Sequence, residues 1–171
     1  GLKPVHWSPS SRTALAEAEL EYPDGHTSPS VYVAFPVVEL GEALASQLGE
    51  AAANLAVAIW TTTPWTLPAN LAVAVNPNLD YAICRSGDRH LVVAAELSEG
   101  LAVKLGIELT PLCRLKGAEL EGIVYRHPLL DRTSAVVIGG DYVTTEAGTG
   151  LVHTAPGHGV DDFNTGKKYG L

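Results

Sequence analysis

The sequence predicts a β-rich α/β fold, in which a barrel-like core of short strands is decorated by a few helices. Short apolar runs such as LAVAIW and LAVAV recur at close spacing, and turn-forming residues such as NPN and SGD separate them. Only a few stretches have the length and composition of a helix. With 171 residues, of which 46% are hydrophobic, residues 1–171 fit a single domain that can bury a core.

Little regular structure is expected before residue 31. Residues 1–11 fit an irregular lead-in anchored by Trp7, and residues 14–22 (ALAEAELEY) fit either a helix or a strand. Residues 23–30 (PDGHTSPS) have the composition of turns. VYVAFPVV then predicts a strand, and ELGEALASQLG predicts a short helix that ends at Gly49.

The rest of the chain predicts the strands of the core and two more helices. Strands are expected at residues 54–61, 71–75, 81–85, 90–94, 107–114, 123–125, 135–138 and 151–154. An amphipathic helix is expected at residues 96–105, with Gly106 as its cap. A last helix is expected at residues 160–169, with Asp161 and Asp162 in its first turn, where the helix dipole favours acidic side chains.

Composition argues against several classes of function. The formal net charge of −8 argues against broad nucleic-acid binding through a basic face, so any nucleic-acid contact should be local. The apolar runs are strand-sized and the first residues do not form a signal peptide, so no membrane partner is expected. Cys84 and Cys113 have neither metal nor redox spacing, and fit reduced residues of a cytoplasmic protein. The chain has no methionine, which favours a domain excised from a longer polypeptide.

The segment WTTTPWTLPAN, residues 60–70, places four threonines and two prolines directly after a predicted strand. Pro64 and Pro68 restrict the backbone, so the hydroxyl groups would be ordered before any ligand arrives. Threonine is also favoured in strands, and residues 61–63 could simply end this one. Spacing alone leaves both interpretations open.

A second segment, EAGTGLVHTAPGHGVDDF at residues 146–163, combines four glycines with a histidine and two aspartates. Glycine permits close backbone approach. The aspartates at the start of a helix make phosphate a poor ligand and favour a positively charged group such as an amine. The alternatives are that the aspartates are only favourable first-turn charges and that His153 is a core residue.

A metal site is a further possibility for the second segment. Its candidate ligands are His153, His158, Asp161 and Asp162. The His-x4-His spacing is not one of the tight zinc spacings, and no cysteine or third histidine joins the group. We therefore expect no metal and no cofactor.

Together, WTTTPWTLPANLAVAVNP and GTGLVHTAPGHGVDDF resemble the editing (CP1) domain of bacterial-type isoleucyl-tRNA synthetases, which are class I enzymes. The resemblance covers nearly the whole chain, whereas the valyl and leucyl editing domains typically carry Arg where Thr63 stands. It implies the editing-domain fold and a hydrolase that removes valine from misacylated tRNA(Ile) and also cleaves valyl-adenylate. The synthetic site of such an enzyme rejects valine poorly because one methylene is worth only about 1–3 kcal/mol, a limit for which this synthetase is the standard example.

The resemblance also implies roles for individual residues. The residues that match the family's catalytic positions are Thr61, Thr62, Thr63 and Asp162. The residues that match substrate-binding positions are Trp65, Thr66, Asn70 and His153. Asp162 would pair with the substrate ammonium group, and is preferred to Asp161 because the sister families keep an aspartate directly before an aromatic residue. His153 would lie at the side-chain end of the pocket, where its bulk would exclude isoleucine.

The implied partners are the tRNA(Ile) 3′ end carrying valine, valyl-adenylate, and the remainder of the synthetase chain. Lys167 and Lys168 could contact phosphate or could simply form a solvated helix face. An amino-acid ester is already reactive, so water attack without a covalent intermediate is expected. The chain lacks HIGH-like and KMSKS-like signatures, so it should not aminoacylate. The alternatives are a non-catalytic module that binds the aminoacylated 3′ end, and a metal-dependent hydrolase.

Overall fold

The computed structural model describes residues 3–171 and is built on a nine-stranded mixed sheet with a separate two-stranded hairpin. The strands are β1 His6–Ser8, β2 Thr13–Leu15, β3 Val31–Glu39, β4 Leu55–Thr61, β5 Ala72–Val75, β6 Asp80–Ser86, β7 Arg89–Ala94, β8 Thr110–Lys116, β9 Val124–Arg126, β10 Thr133–Ile138 and β11 Val152–Thr154. The α-helices are α1 Glu42–Leu48, α2 Ser98–Leu105 and α3 Val160–Tyr169. The first two residues of the predicted lead-in lie outside the described residues.

The strand order of the large sheet is β11-β5-β10-β9-β3-β4-β7-β6-β8. Two pairs, β5 with β10 and β4 with β7, are parallel, and the remaining pairs are antiparallel. The sheet curls, so that its edge strand β11 packs against β4. The Ala94 N–H at the end of β7 donates to the Thr149 carbonyl just before β11, at 2.7 Å. This curled sheet with few helices confirms the predicted fold class.

The central strands are buried because neighbouring strands and both faces of the fold cover them. All but one residue of β4 are buried, as are all four residues of β5. These strands consist mostly of alanine, valine and isoleucine, which suit a sheet covered on both faces. Phe35 and Tyr125 pack edge to face in the same core, with ring centroids 5.0 Å apart.

Most element boundaries agree with the sequence to within one to three residues. α3 spans the predicted residues, and Gly49 and Gly106 end α1 and α2 with φ of 53° and 64°. Such positive φ values are open to glycine at little cost. Among residues 3–171, no helix is long and apolar enough to cross a membrane.

The N-terminal prediction was wrong in two respects. Residues 1–11 are not wholly irregular, because β1 pairs with β2 and Trp7 lies opposite Ala14. Trp7 is 56% exposed, so it does not anchor the lead-in in the core. Residues 14–22 continue β2 and then form a 3-10 helix, Glu17–Glu19, with no buried residue.

Candidate active site

A cavity of about 400 Å³ lies between the end of β4, strand β11 and the first turn of α3. Its lining residues form two groups. The threonine wall consists of Trp60, Thr61, Thr62, Thr63, Thr66 and His153. The acidic wall consists of Tyr142, Thr144, Glu146, His158 and Asp162, together with the loop 147–152. Both candidate segments of the sequence therefore contribute to one site.

The pairing of β5 with β11 brings the two segments together. β5 begins two residues after Asn70, and its Val73 lies opposite His153 in the antiparallel register. The Leu71 N–H extends this ladder by donating to the Thr154 carbonyl at 3.0 Å. The strand that follows the threonine peptide thus places the histidine beside it.

The threonine peptide leaves β4 and turns at once into a 3-10 helix, Pro64–Ala69. The Thr63 N–H donates to Thr61 Oγ1 at 3.0 Å. The side chain of the last strand residue therefore accepts a hydrogen bond from the backbone just beyond the strand. The Thr61 and Thr63 hydroxyl oxygens are 3.1 Å apart, and the Thr62 and Thr63 side chains are exposed toward the cavity. The threonines therefore end the strand and also line the cavity.

Two basic side chains hold the outer face of this peptide. His127 Nε2 donates to the Leu67 carbonyl at 2.8 Å, because its Nδ1 accepts the N–H groups of Leu129 and Leu130. Arg132 Nη2 donates to the carbonyls of Pro68 and Asn70, at 2.6 and 2.5 Å. His127 and Arg132 thus bond to three backbone carbonyls of the segment that follows the threonines.

His153 is 8% exposed, and both of its ring nitrogens contact protein groups. Nε2 lies 3.0 Å from Thr66 Oγ1, and Nδ1 lies 2.8 Å from Asn70 Nδ2. Burial, with smaller contributions from His158 and His127, lowers the pKa of His153 from 6.5 to about 4. The ring is therefore neutral at pH 7, and it is not free to take a proton from water.

Asp162 is one of two acidic residues that line the cavity, the other being Glu146. Asp162 Oδ2 accepts the Ala155 N–H at 3.0 Å, which orients the carboxylate from the first turn of α3. Burial raises the pKa of Asp162, and the bond from Ala155 opposes that rise. Asp161 is exposed and does not line the cavity. An oriented, half-buried carboxylate can hold a ligand cation.

Two predicted substrate-binding residues do not line the cavity. Asn70 has no exposed surface, and its side chain contacts His153, Ala72 and Tyr125 instead. Trp65 is 64% exposed and is not among the lining residues. The 3-10 turn separates these residues from the strand end, so sequence proximity to Thr63 did not bring them into the cavity.

The structure also gives the surroundings of the metal ligands and phosphate contacts that the sequence offered. In the described residues 3–171, no group of three or more His, Cys, Asp or Glu side chains could hold a metal ion. Lys167 and Lys168 are exposed on α3 and lie outside the cavity lining. Lys168 Nζ is 5.0 Å from the Tyr169 ring centroid, on the helix surface.

The sequence did not single out several lining residues, all of which come from the acidic wall or the end of β4. These are Trp60, Tyr142, Thr144 and Glu146. The loop between β10 and β11 has no periodic pattern, so its side-chain directions cannot be inferred. Its glycines were the available signal: a Cβ on Gly148 would lie 3.0 Å from the Trp60 ring, and one on Gly150 would lie 2.3 Å from Ala94 Cβ. Both have φ of 78°, so glycine is needed there on two grounds.

Comparison with known proteins shows which proteins this chain is similar to. An isoleucine–tRNA ligase of a Synechococcus species is 70% identical over the whole chain, and that of Nostoc punctiforme is 61% identical. The chain is homologous to a segment of isoleucine–tRNA ligases. It spans 18 to 19% of the length of these relatives. No protein-family model matches it.

Solved structures show that the chain has the fold of synthetase editing domains. The structure titled GlLeuRS-CP1 superposes with a TM-score of 0.66 and 20% identity, over 82% of this chain and 65% of that one. The editing domain of the P. falciparum cytosolic leucyl-tRNA synthetase gives a TM-score of 0.60 and 14% identity, over 79% and 56%. At such identities the likeness concerns the fold, and the ligase relationship comes from the sequence.

Proposed function

We propose that the cavity hydrolyses the aminoacyl ester of misacylated Val-tRNA(Ile), and also valyl-adenylate, as the proofreading site of an isoleucine–tRNA ligase. The observation that carries this proposal is the meeting of the threonine peptide, His153 and Asp162 around one cavity. Homology to isoleucine–tRNA ligases and the editing-domain fold support it. The partners would be the 3′ end of tRNA(Ile) and the remainder of the ligase, in the cytoplasm, with residues 1–171 acting as one domain.

Asp162 would bind the α-ammonium group of the substrate. It is the oriented carboxylate of the lining, and only one of its oxygens is taken by the Ala155 N–H. A charge-assisted hydrogen bond to a half-buried carboxylate is stronger than a neutral one. Glu146 adds a second acidic group to the same wall, which reinforces the preference for a cation.

His153 would form the end of the pocket that meets the amino-acid side chain. Its neutral ring presents a fixed, uncharged surface, and its nitrogens are bound to Thr66 and Asn70. Valine would fit against this surface, and the additional methylene of isoleucine would collide with it. Selection by exclusion adds to the small difference in binding energy that one methylene provides.

Water is the proposed nucleophile. His153 Nδ1 accepts from the Asn70 amide, so Nε2 carries the proton of the neutral ring and cannot take one from the Thr66 hydroxyl beside it. The hydroxyl groups of Thr61, Thr62 and Thr63 would position the water and stabilise the developing oxyanion. The reaction would then need no cofactor and no acyl-enzyme.

The test is the release of free valine from Val-tRNA(Ile) by the 171-residue chain, with Ile-tRNA(Ile) as the matched substrate. We expect release from the valyl ester only, unchanged by a chelator and without a trappable protein adduct. Tight binding without release would identify the chain as a binding module instead. Loss of activity with chelator would identify a metal-dependent hydrolase.

A further inference from the structure

A buried chain of hydrogen bonds connects the middle of the sheet to the threonine wall. It begins at Tyr125 in β9, whose hydroxyl lies 2.6 Å from Asn70 Oδ1. Asn70 Nδ2 lies 2.8 Å from the Ala72 carbonyl and 2.8 Å from His153 Nδ1. His153 Nε2 lies 3.0 Å from Thr66 Oγ1, which in turn lies 2.8 Å from the Thr63 carbonyl.

The chemistry of the groups gives each bond in this chain one direction. The amide oxygen of Asn70 only accepts, so the Tyr125 hydroxyl donates to it. The amide nitrogen only donates, so His153 Nδ1 must be the unprotonated nitrogen. A neutral ring then carries its proton on Nε2 and donates it to Thr66 Oγ1. The Thr66 hydroxyl proton goes on to the Thr63 carbonyl, which only accepts.

Tyr125 can serve as the fixed end of this chain. Its side chain has no exposed surface, and burial raises the pKa of its hydroxyl, so the group keeps its proton. Its ring is held edge to face by Phe35, and it lies on a strand between two neighbours. The orientation of the Asn70 amide therefore depends on two rigid groups, the Tyr125 hydroxyl and the Ala72 carbonyl.

We propose that Tyr125 is a positioning residue for substrate selection: through Asn70, its hydroxyl holds His153 in the Nε2–H tautomer and fixes the ring against Thr66. Tyr125 does not touch the substrate. Its effect on selection rests on the proposed function, whereas its effect on the His153 tautomer does not. Groups behind a site residue commonly set its tautomer and orientation in this way.

The first test is Tyr125→Phe in the 171-residue chain. This change keeps the ring and its packing on Phe35, but leaves Asn70 Oδ1 buried without a donor. ¹⁵N NMR of the ring nitrogens should show the His153 signal move from the Nε2–H tautomer toward a mixture of both. With Val-tRNA(Ile) and Ile-tRNA(Ile), the ratio of valyl to isoleucyl cleavage should fall by about tenfold, the scale of one methylene. We expect kcat for the valyl ester to change by less than this ratio.

The matched control is Tyr169→Phe. Like Tyr125, this tyrosine donates from its hydroxyl, here to the Glu121 carboxylate, and it accepts the Ile138 N–H. It lies outside the chain of bonds to His153. Its removal should leave both the His153 tautomer and the cleavage ratio unchanged. An equal effect of the two changes would mean that general loosening of the fold is responsible, and would overturn the proposal.

A second variant, Asn70→Asp, keeps the test decisive if Tyr125→Phe does not fold. A carboxylate can only accept, so His153 Nδ1 would have to carry a proton, and the NMR signature should reverse. Retention of the parent tautomer in either folded variant would overturn the proposal. If the parent chain cleaves neither ester, the proposed function fails, and the NMR result alone still decides the role of Tyr125.

Discussion

The two walls of the cavity satisfy their polar groups in different ways. In the threonine wall, Thr61, Thr66 and His153 bond to other protein groups, and Arg132 and His127 hold the backbone behind them. In the acidic wall, within residues 3–171, the side chains of Glu146 and His158 make no hydrogen bond or ion pair. There too, Asp162 uses only one of its two oxygens.

This difference indicates that the two walls have different roles. Buried groups that are bonded to the protein hold one arrangement, so Thr61, Thr66 and His153 can set the shape of the threonine wall before a ligand arrives, although Trp60 Nε1 has no partner within residues 3–171. Groups without protein partners are free to bind a ligand, so the acidic wall can supply its charge. Substitutions should therefore fail differently: at Asp162 in the acidic wall, in binding and turnover, and at His153 in the threonine wall, in selection.

The largest effect is expected in the acidic wall, at Asp162. Asp162→Asn should lower valyl-ester hydrolysis at least about 100-fold, because losing the charged partner of a desolvated ammonium costs on the order of 3 kcal/mol. Asparagine can still accept the Ala155 N–H. Because burial raises the pKa of Asp162, the ionised form is disfavoured in the fold, and the variant should unfold at an equal or higher temperature. Hydrolysis kinetics and thermal unfolding measure the two effects.

Asp161→Asn is the matched control, since this aspartate is adjacent, exposed and outside the lining. It should keep nearly full activity. The reverse pattern, with activity lost at 161 and kept at 162, would place the ammonium contact on the neighbouring residue.

The next effect is expected in the threonine wall, at His153. His153→Ala should allow hydrolysis of Ile-tRNA(Ile), with discrimination against isoleucine reduced by about 10- to 100-fold, as expected for a lost methylene contact. His26→Ala, at an exposed turn, is the control. If isoleucine stays protected in a folded His153 variant, another group sets the size limit.

A smaller effect is expected behind the threonine wall, at Arg132. Arg132→Ala removes the bonds to the exposed Pro68 carbonyl and to the carbonyl of the buried Asn70, and leaving the latter acceptor without a donor costs about 1–3 kcal/mol of unfolding free energy. We expect roughly a tenfold loss of kcat/KM, consistent with a small misplacement of the wall. Arg126→Ala, exposed on β9, should change neither quantity. Full activity in Arg132→Ala would show that this support is dispensable.

The smallest effect is the pH dependence of the unfolding free energy that His153, in the threonine wall, contributes. Since the folded pKa of His153 is lowered to about 4, the folded ring resists protonation while the unfolded ring protonates near 6.5. Its contribution is complete above pH 6.5 and is lost as pH falls toward 4. Linkage predicts about 1 kcal/mol less unfolding free energy at pH 5.5 than at pH 7 from this group. Urea unfolding should show a pH dependence that is smaller in His153→Leu than in the parent by about this amount, and an equal pH dependence in both would contradict the prediction.

The sequence predicted the strands and helices that long patterns specify. LAVAIW gave a strand because a continuous apolar run of that length suits a sheet covered on both faces, and VYVAFPVV gave one because its valines and aromatic residues favour strands although only Phe35 of it is buried. VDDFNTGKKY gave α3 because glycines flank it and acidic residues open it. Residues of both candidate segments line one cavity, and their roles there stay predictions from the resemblance to a family.

The remaining features depend on tertiary contacts. The orientation of the Asn70 side chain follows from its bonds to Tyr125 and His153, which are distant in sequence. Its local sequence indicated only a polar residue after a turn. The exposure of Trp65 follows from the 3-10 turn that begins at Pro64. Glu146 lines the cavity because glycines on either side of Thr149 let the loop pack against Trp60 and Ala94, and no periodic pattern encodes that path.

The pairing of β5 with β11 also has a consequence for the order of folding. The two strands are about 80 residues apart in sequence, so their contact closes a long loop and carries a large entropic cost. The hairpin of β6 and β7 and the pairing of β3 with β4 close much shorter loops and can form first. During synthesis, the threonine peptide leaves the ribosome long before the residues that complete the site. The chain therefore acquires its rigid strands early, and its cavity only when the final segment has been made.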